Sequence, residues 1–119
     1  NGYQLILDAY NANPTSMQHA LESFAKSSAK KKIVILGDMF ELGAEAAKEH
    51  QFIAHLAAQL KFDKIVLVGN EFSKTTNSDT VLKFLTTAEA HDWFQQQDFT
   101  NAEILLKGSR SMKMEKVIE

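Results

Sequence analysis

Three short polar stretches hold the residues whose types and spacing could do chemistry. Asp8, Tyr10, Asn11 and Asn13 lie in D-A-Y-N-A-N, Asp38 and Glu41 in D-M-F-E-L-G, and Lys107, Ser109 and Arg110 in K-G-S-R. Each stretch closes an apolar run. An acid at the end of a buried strand can accept hydrogen bonds from a ribose hydroxyl pair. The same acid can instead organise its loop by accepting from nearby backbone N–H groups, and Asp8 suits both roles. Tyr10 could stack on a base or close the loop by packing. Asn11 and Asn13 offer donors and acceptors, and Asn13 also suits a helix N-cap, with Pro14 at the N1 position that proline tolerates. Asp38 and Glu41 could hold an ammonium or a metal, or stay solvated. Lys107 and Arg110 flank Gly108-Ser109 at an expected helix start, where a carboxylate or phosphate is favoured; the alternative is capping by Ser109 between two surface cations.

Several common catalytic patterns are missing. There is no G-x-x-x-x-G-K-[ST] phosphate loop and no G-x-G-x-x-G fingerprint. A G-x-S-x-G nucleophile elbow is also lacking. The four histidines (His19, His50, His55 and His91) form no metal-binding spacing. His50 falls on an otherwise apolar helical stripe and reads as a core histidine rather than a base. Turnover by these residues alone has little support.

Composition narrows the class. The 119 residues are 45% hydrophobic and 24% charged, which fits one ordinary globular domain, 1–119, with a real core. No cysteine is present, so disulfides and thiolate metal sites are excluded. The formal net charge of −2 argues against a nucleic-acid partner, which would favour a basic excess. Lys30-Lys31-Lys32, the densest basic run, reads as a solvated helix end. No apolar run reaches membrane-spanning length, and Asn1-Gly2-Tyr3 does not open a signal peptide. The absence of cysteine does not fix the compartment, and an excised domain or processed product is expected.

The elements that must position these residues follow from periodicity. Apolar runs at 5–7, 33–36, 65–68 and 104–106 read as strands buried on both faces. Residues 81–84, less apolar, read as a strand nearer an edge. Helices are expected over 14–29, 44–61 and 86–97, with a last amphipathic helix over 112–118. Met17, Ala20, Leu21, Phe24 and Ala25 form the buried face of the first. Ala46, His50, Ile53, Ala57 and Leu60, with Phe52 and Leu56 alongside, form that of the second. Thr86 and Glu89 fit a capping box. Strands alternating with helices predict an α/β fold: a doubly wound, mostly parallel sheet of five or six strands with helices on both faces. In that architecture the loops at 8–13, 38–41 and 107–110 share the carboxyl edge of the sheet.

D-A-Y-N-A-N-P-T-S at 8–16, G-D-M-F-E-L-G at 37–43 followed by His50, and K-G-S-R-S-M-K-M-E at 107–115 occur in that order. Together they resemble the C-terminal domain of the Mur ligases, in the branch that adds D-Ala-D-Ala to UDP-N-acetylmuramoyl-tripeptide (UDP-MurNAc-tripeptide). The similarity covers essentially the whole chain. One departure is Leu7, where the family often has a second acid. The resemblance implies a Rossmann-like domain of a three-domain cytoplasmic enzyme of peptidoglycan synthesis. It implies ATP and Mg2+ as requirements, an acyl phosphate intermediate, and a central ATPase domain of the same chain as partner. That central domain supplies the phosphate loop and the metal ligands. By the same resemblance Asp8 holds the ribose of ATP, with Tyr10 and Asn11 lining the nucleotide or the domain interface. Asn13, Asp38, Glu41, Lys107, Ser109 and Arg110 fall to the substrate side, Asn13 orienting the loop and the others toward the dipeptide. A free-standing flavodoxin-like binding module is the alternative reading.

Overall fold

The computed structural model describes residues 2–8 and 12–119. Five strands form one parallel sheet: β1 (Gln4–Asp8), β2 (Lys32–Gly37), β3 (Lys64–Val68), β4 (Leu82–Phe84) and β5 (Glu103–Lys107). Their spatial order is β1-β5-β2-β3-β4, so the last strand of the chain inserts between the first and second. The helices are α1 (Pro14–Ala25), α2 (Ala46–Gln59), α3 (Asn70–Ser73) and α4 (Thr87–Phe94). Three 3-10 turns complete the described chain, at Gly43–Glu45, Arg110–Met112 and Met114–Val117.

The apolar runs of β2, β3 and β5 are buried on both faces because adjacent residues feed two separate cores. Val34, Leu36, Ile65, Leu67 and Leu105 face Met17, Leu21 and Phe24 of α1, Ile53 and Ala57 of α2, and Phe72 of α3. Ile33, Ile35, Val66, Val68, Ile104 and Leu106 face Ala90 and Phe94 of α4 and Met114 and Val117 of the last turn. The doubly wound α/β sheet expected from the sequence is therefore present, with five parallel strands.

Four expectations need correction. β1 is an edge strand, not one buried on both faces. It is hydrogen-bonded to β5, with Leu5, Ile6 and Leu7 opposite Ile104, Leu105 and Leu106. Leu5, Ile6 and Leu7 are 36%, 43% and 47% exposed, because a neighbour on one side leaves the other flank of each side chain uncovered. The helices are shorter than expected: α1 stops at Ala25 and α4 at Phe94. The C-terminal segment forms 3-10 turns rather than an α-helix, with Lys113 at φ +54 interrupting any continuous helix. Phe52, placed beside the core stripe of α2, is 44% exposed, and Ala54 is buried in its stead.

Candidate functional site

The carboxyl ends of β1, β5 and β2 are adjacent, and they bring the three polar stretches to one rim. In open α/β sheets ligands bind at this edge, beside the point where strand order reverses. Here the reversal is the return of the chain from β4 to β5.

Local sequence builds the first part of the rim. Asn13 caps α1: its Oδ1 accepts from the Ser16 N–H at 2.8 Å, while its own N–H donates to Ser16 Oγ at 3.1 Å. Ser16 thus takes the role that glutamate or glutamine usually fills in a capping box. Asn13 was placed on the substrate side by its resemblance. Its side-chain oxygen is engaged within the helix cap, so it orients the loop rather than offering that oxygen to a substrate. Tyr10 and Asn11, expected to line the nucleotide, lie outside the described residues.

Asp8 ends β1 with its side chain 48% exposed, and its Oδ2 accepts from Lys107 Nζ at 2.8 Å. The ammonium comes from the neighbouring strand, where Asp8 and Lys107 are in register. Lys107 is 1% exposed. A buried ammonium is costly unless paired and hydrogen-bonded, so this contact explains how a lysine can stand in the core of β5. Lys107, expected among the substrate-binding residues, directs its ammonium to Asp8 in this structure.

Asp38 is likewise corrected. Its carboxylate is 2% exposed and accepts from two consecutive backbone donors, Glu71 N–H at 2.8 Å and Phe72 N–H at 2.9 Å. Both oxygens are committed to the start of α3, so Asp38 braces the rim and does not face a dipeptide. Gly69, at φ +126, lies directly beneath that carboxylate, where a Cβ would collide with it.

The stretch after Asp38 is pinned one amide at a time. Asp38 N–H donates to the Val68 carbonyl at 3.1 Å, Met39 N–H to His50 Nε2 at 3.0 Å, and Phe40 N–H to Ser109 Oγ at 2.9 Å. Ser109 N–H returns a bond to the Asp38 carbonyl at 3.0 Å, tying the loop after β2 to the loop after β5. His50 is fully buried, and its Nδ1 lies 2.6 Å from the Ala46 carbonyl. A carbonyl only accepts, so the ring carries its proton on Nδ1 and presents Nε2 as the acceptor for Met39. It is a satisfied core histidine, as its place on the stripe implied.

Two clefts draw on the residues of this rim, and the pinned loop lines the second of them. The first, about 900 Å³ and open, is lined by Asp8, Asn13, Thr15, His19, Ser23 and Glu49 among others. The second, about 590 Å³, is lined by Ala12, Phe40, Glu41, Ser109, Arg110, Ser111, Lys113 and Glu115. The structure therefore separates Asp8 and Asn13 from Glu41, Ser109 and Arg110. The second cleft carries two acids and two cations, a lining that suits a small molecule bearing both an ammonium and a carboxylate. Sequence reasoning missed Thr15, His19 and Ser23. Their spacing of four residues marks one polar face of α1 and was a usable signal. Glu49 carried no comparable local signal, whereas Lys113 and Glu115 fall inside the K-G-S-R-S-M-K-M-E stretch that carried the resemblance. Among the described residues, no group of three or more histidines and acids could hold a metal ion. No helix of the described residues is long and apolar enough to cross a membrane.

Residues 1–110 match the family model for the Mur ligase, glutamate ligase domain. The chain belongs to the Mur ligase family. UDP-N-acetylmuramoyl-tripeptide–D-alanyl-D-alanine ligase of Treponema pallidum is 35% identical, over 94% of this chain and 26% of its own length. The Escherichia coli ligase of the same name is 34% identical, over 97% of this chain and 26% of its own length. A crystal structure of MurF from Acinetobacter baumannii superimposes with a TM-score of 0.77 at 32% identity, covering 93% of this chain and 25% of that one. MurF from Thermotoga maritima, solved with ADP, shares the fold with a TM-score of 0.79 at 22% identity. This chain thus spans about a quarter of the length of the Mur ligases it matches. The family whose motifs the sequence resembles is the one the comparisons return.

Proposed function

We propose that this chain is the C-terminal domain of an ATP-dependent Mur ligase that joins D-Ala-D-Ala to UDP-MurNAc-tripeptide in the cytoplasm. The observation that carries the reading is the pair of chemically different clefts on one sheet rim. In the first, Asp8 keeps half its side chain exposed while Lys107 holds one of its oxygens. A carboxylate so held suits a ribose hydroxyl pair of ATP. In the second, Glu41 and Glu115 offer carboxylates to the incoming ammonium, and Arg110 and Lys113 offer cations to the dipeptide carboxylate. ATP supplies the phosphoryl group that activates the tripeptide carboxylate; none of the described residues is placed to transfer it. The domain contributes binding and orientation, and closes over an ATPase domain that holds the phosphates and Mg2+. The names of the relatives support the same substrates.

The test is dipeptide-dependent phosphate release by the full-length ligase, wild type against Asp8→Ala. The expected result is an ATP KM raised about 10-fold or more, the loss of one charge-assisted hydrogen bond of about 1.5–3 kcal/mol. An ATP KM within about twofold of wild type in a folded variant would refute the nucleotide role of Asp8.

A further inference from the structure

Glu41 has a backbone conformation that non-glycine residues rarely adopt, φ +65, at the lip of the second cleft. For a glutamate that conformation is disfavoured by the clash of Cβ with the backbone, so the surroundings must impose it. The two residues before it show how. Met39 N–H is held by His50 Nε2 from inside α2, and Phe40 N–H by Ser109 Oγ from the loop after β5. His50 in turn is fixed by the Ala46 carbonyl on Nδ1 and by the edge of Phe72, whose ring centroid is 4.7 Å away. Met39 itself is 1% exposed, so the chain is anchored in the core immediately before it reaches the cleft.

We propose that His50, with Ser109, is a positioning residue for the amine substrate. The two side chains hold consecutive amides so that Glu41 enters the left-handed region and its carboxylate is set toward the second cleft. His50 touches no ligand and transfers no proton; it acts through the Met39 and Phe40 backbone. This inference rests on the reading of the second cleft as the dipeptide site, and deepens it.

The experiment uses the full-length ligase with His50→Leu, His50→Gln, Ser109→Ala and Glu41→Gln. It records KM for D-Ala-D-Ala, KM for ATP and kcat, together with hydrogen exchange at the Met39 and Phe40 amides. His50→Leu removes the acceptor and is expected to raise the dipeptide KM about tenfold while the ATP KM stays within about twofold, with exchange faster at Met39. His50→Gln restores an acceptor and is expected to stay within about threefold of wild type on the dipeptide. Combined with Glu41→Gln, His50→Leu adds little further loss, because it acts through that carboxylate. If His50→Leu does not fold, Ser109→Ala removes the other brace and is expected to shift the dipeptide KM alone. A dipeptide KM unchanged in a folded His50→Leu or Ser109→Ala variant overturns the proposal, as does an equal rise in both KM values. Exchange at Met39 that follows the prediction, in a wild-type enzyme that shows no D-Ala-D-Ala-dependent turnover, keeps the brace and refutes the functional reading instead.

Discussion

Asp38→Asn separates a bracing carboxylate from a ligand-binding one. The substitution is nearly isosteric, so it opens no cavity. In the native chain each carboxylate oxygen accepts one backbone N–H, from Glu71 and from Phe72, with 2% of the residue exposed. Asparagine has one acceptor oxygen and one NH2, so one of the two amides keeps a neutral acceptor and the other meets a donor. Losing a hydrogen bond to a charged group removes about 1.5–3 kcal/mol, and stranding a buried N–H adds about 1–3 kcal/mol. The expected destabilisation is about 3–5 kcal/mol, a large share of the roughly 5–15 kcal/mol that holds a domain together. Urea unfolding followed by far-UV circular dichroism measures it, with the m-value unchanged if the transition stays two-state. Thermal melting should fall by about 10–25 °C for a domain near this size. A loss below about 1 kcal/mol, or a gain in stability, would refute the bracing role and return Asp38 to the ligand-facing reading.

Two further perturbations have clear signs. Gly69→Ala places a Cβ against the Asp38 carboxylate at φ +126, and is expected to cost at least about 2 kcal/mol in the same urea assay. Asp98 is held below the ordinary aspartate range first by the hydroxyl of Thr100, then by the Thr100 N–H. Its contribution is present above the unfolded-state value and is lost as pH falls through the lower folded value. Thr100→Val removes the larger cause, so an NMR titration of the Asp98 carboxyl carbon should move up in pH while the acid limb of the stability profile becomes shallower.

The parts of the fold legible in the sequence were those written locally. Asn13 followed by Pro14 announced the start of α1, and the two-faced apolar runs of β2, β3 and β5 announced central strands. β1 carries the same kind of run, yet lies at an edge, because an apolar triplet states that a strand forms and not how many neighbours cover it. Asp38 and Lys107 were misread for a related reason. Each follows an apolar run and looks like the first solvated residue of a loop. Each is buried by a partner far along the chain: the amides 33 and 34 residues after Asp38, and Asp8, 99 residues before Lys107. His50 was read correctly because its own helix supplies the apolar stripe and the Ala46 carbonyl four residues back. Its second partner, Met39, depends on where the loop after β2 comes to rest.

The place of β5 between β1 and β2 also governs how the domain can assemble. Among the five strands β1 is made first, yet its hydrogen-bonded neighbour is made from residues about a hundred positions later. β2, β3 and β4 can pair in succession as they emerge, whereas β1 must wait for β5. Such non-local pairing slows folding, because the closure entropy is spent before the contact forms. During synthesis the Leu5-Ile6-Leu7 strand is an unpaired apolar ribbon, the kind of segment that chaperones bind and that aggregation exploits. A nascent chain stalled before Glu103 therefore displays β1 without its partner, and the Asp8–Lys107 contact cannot form until Lys107 has been made.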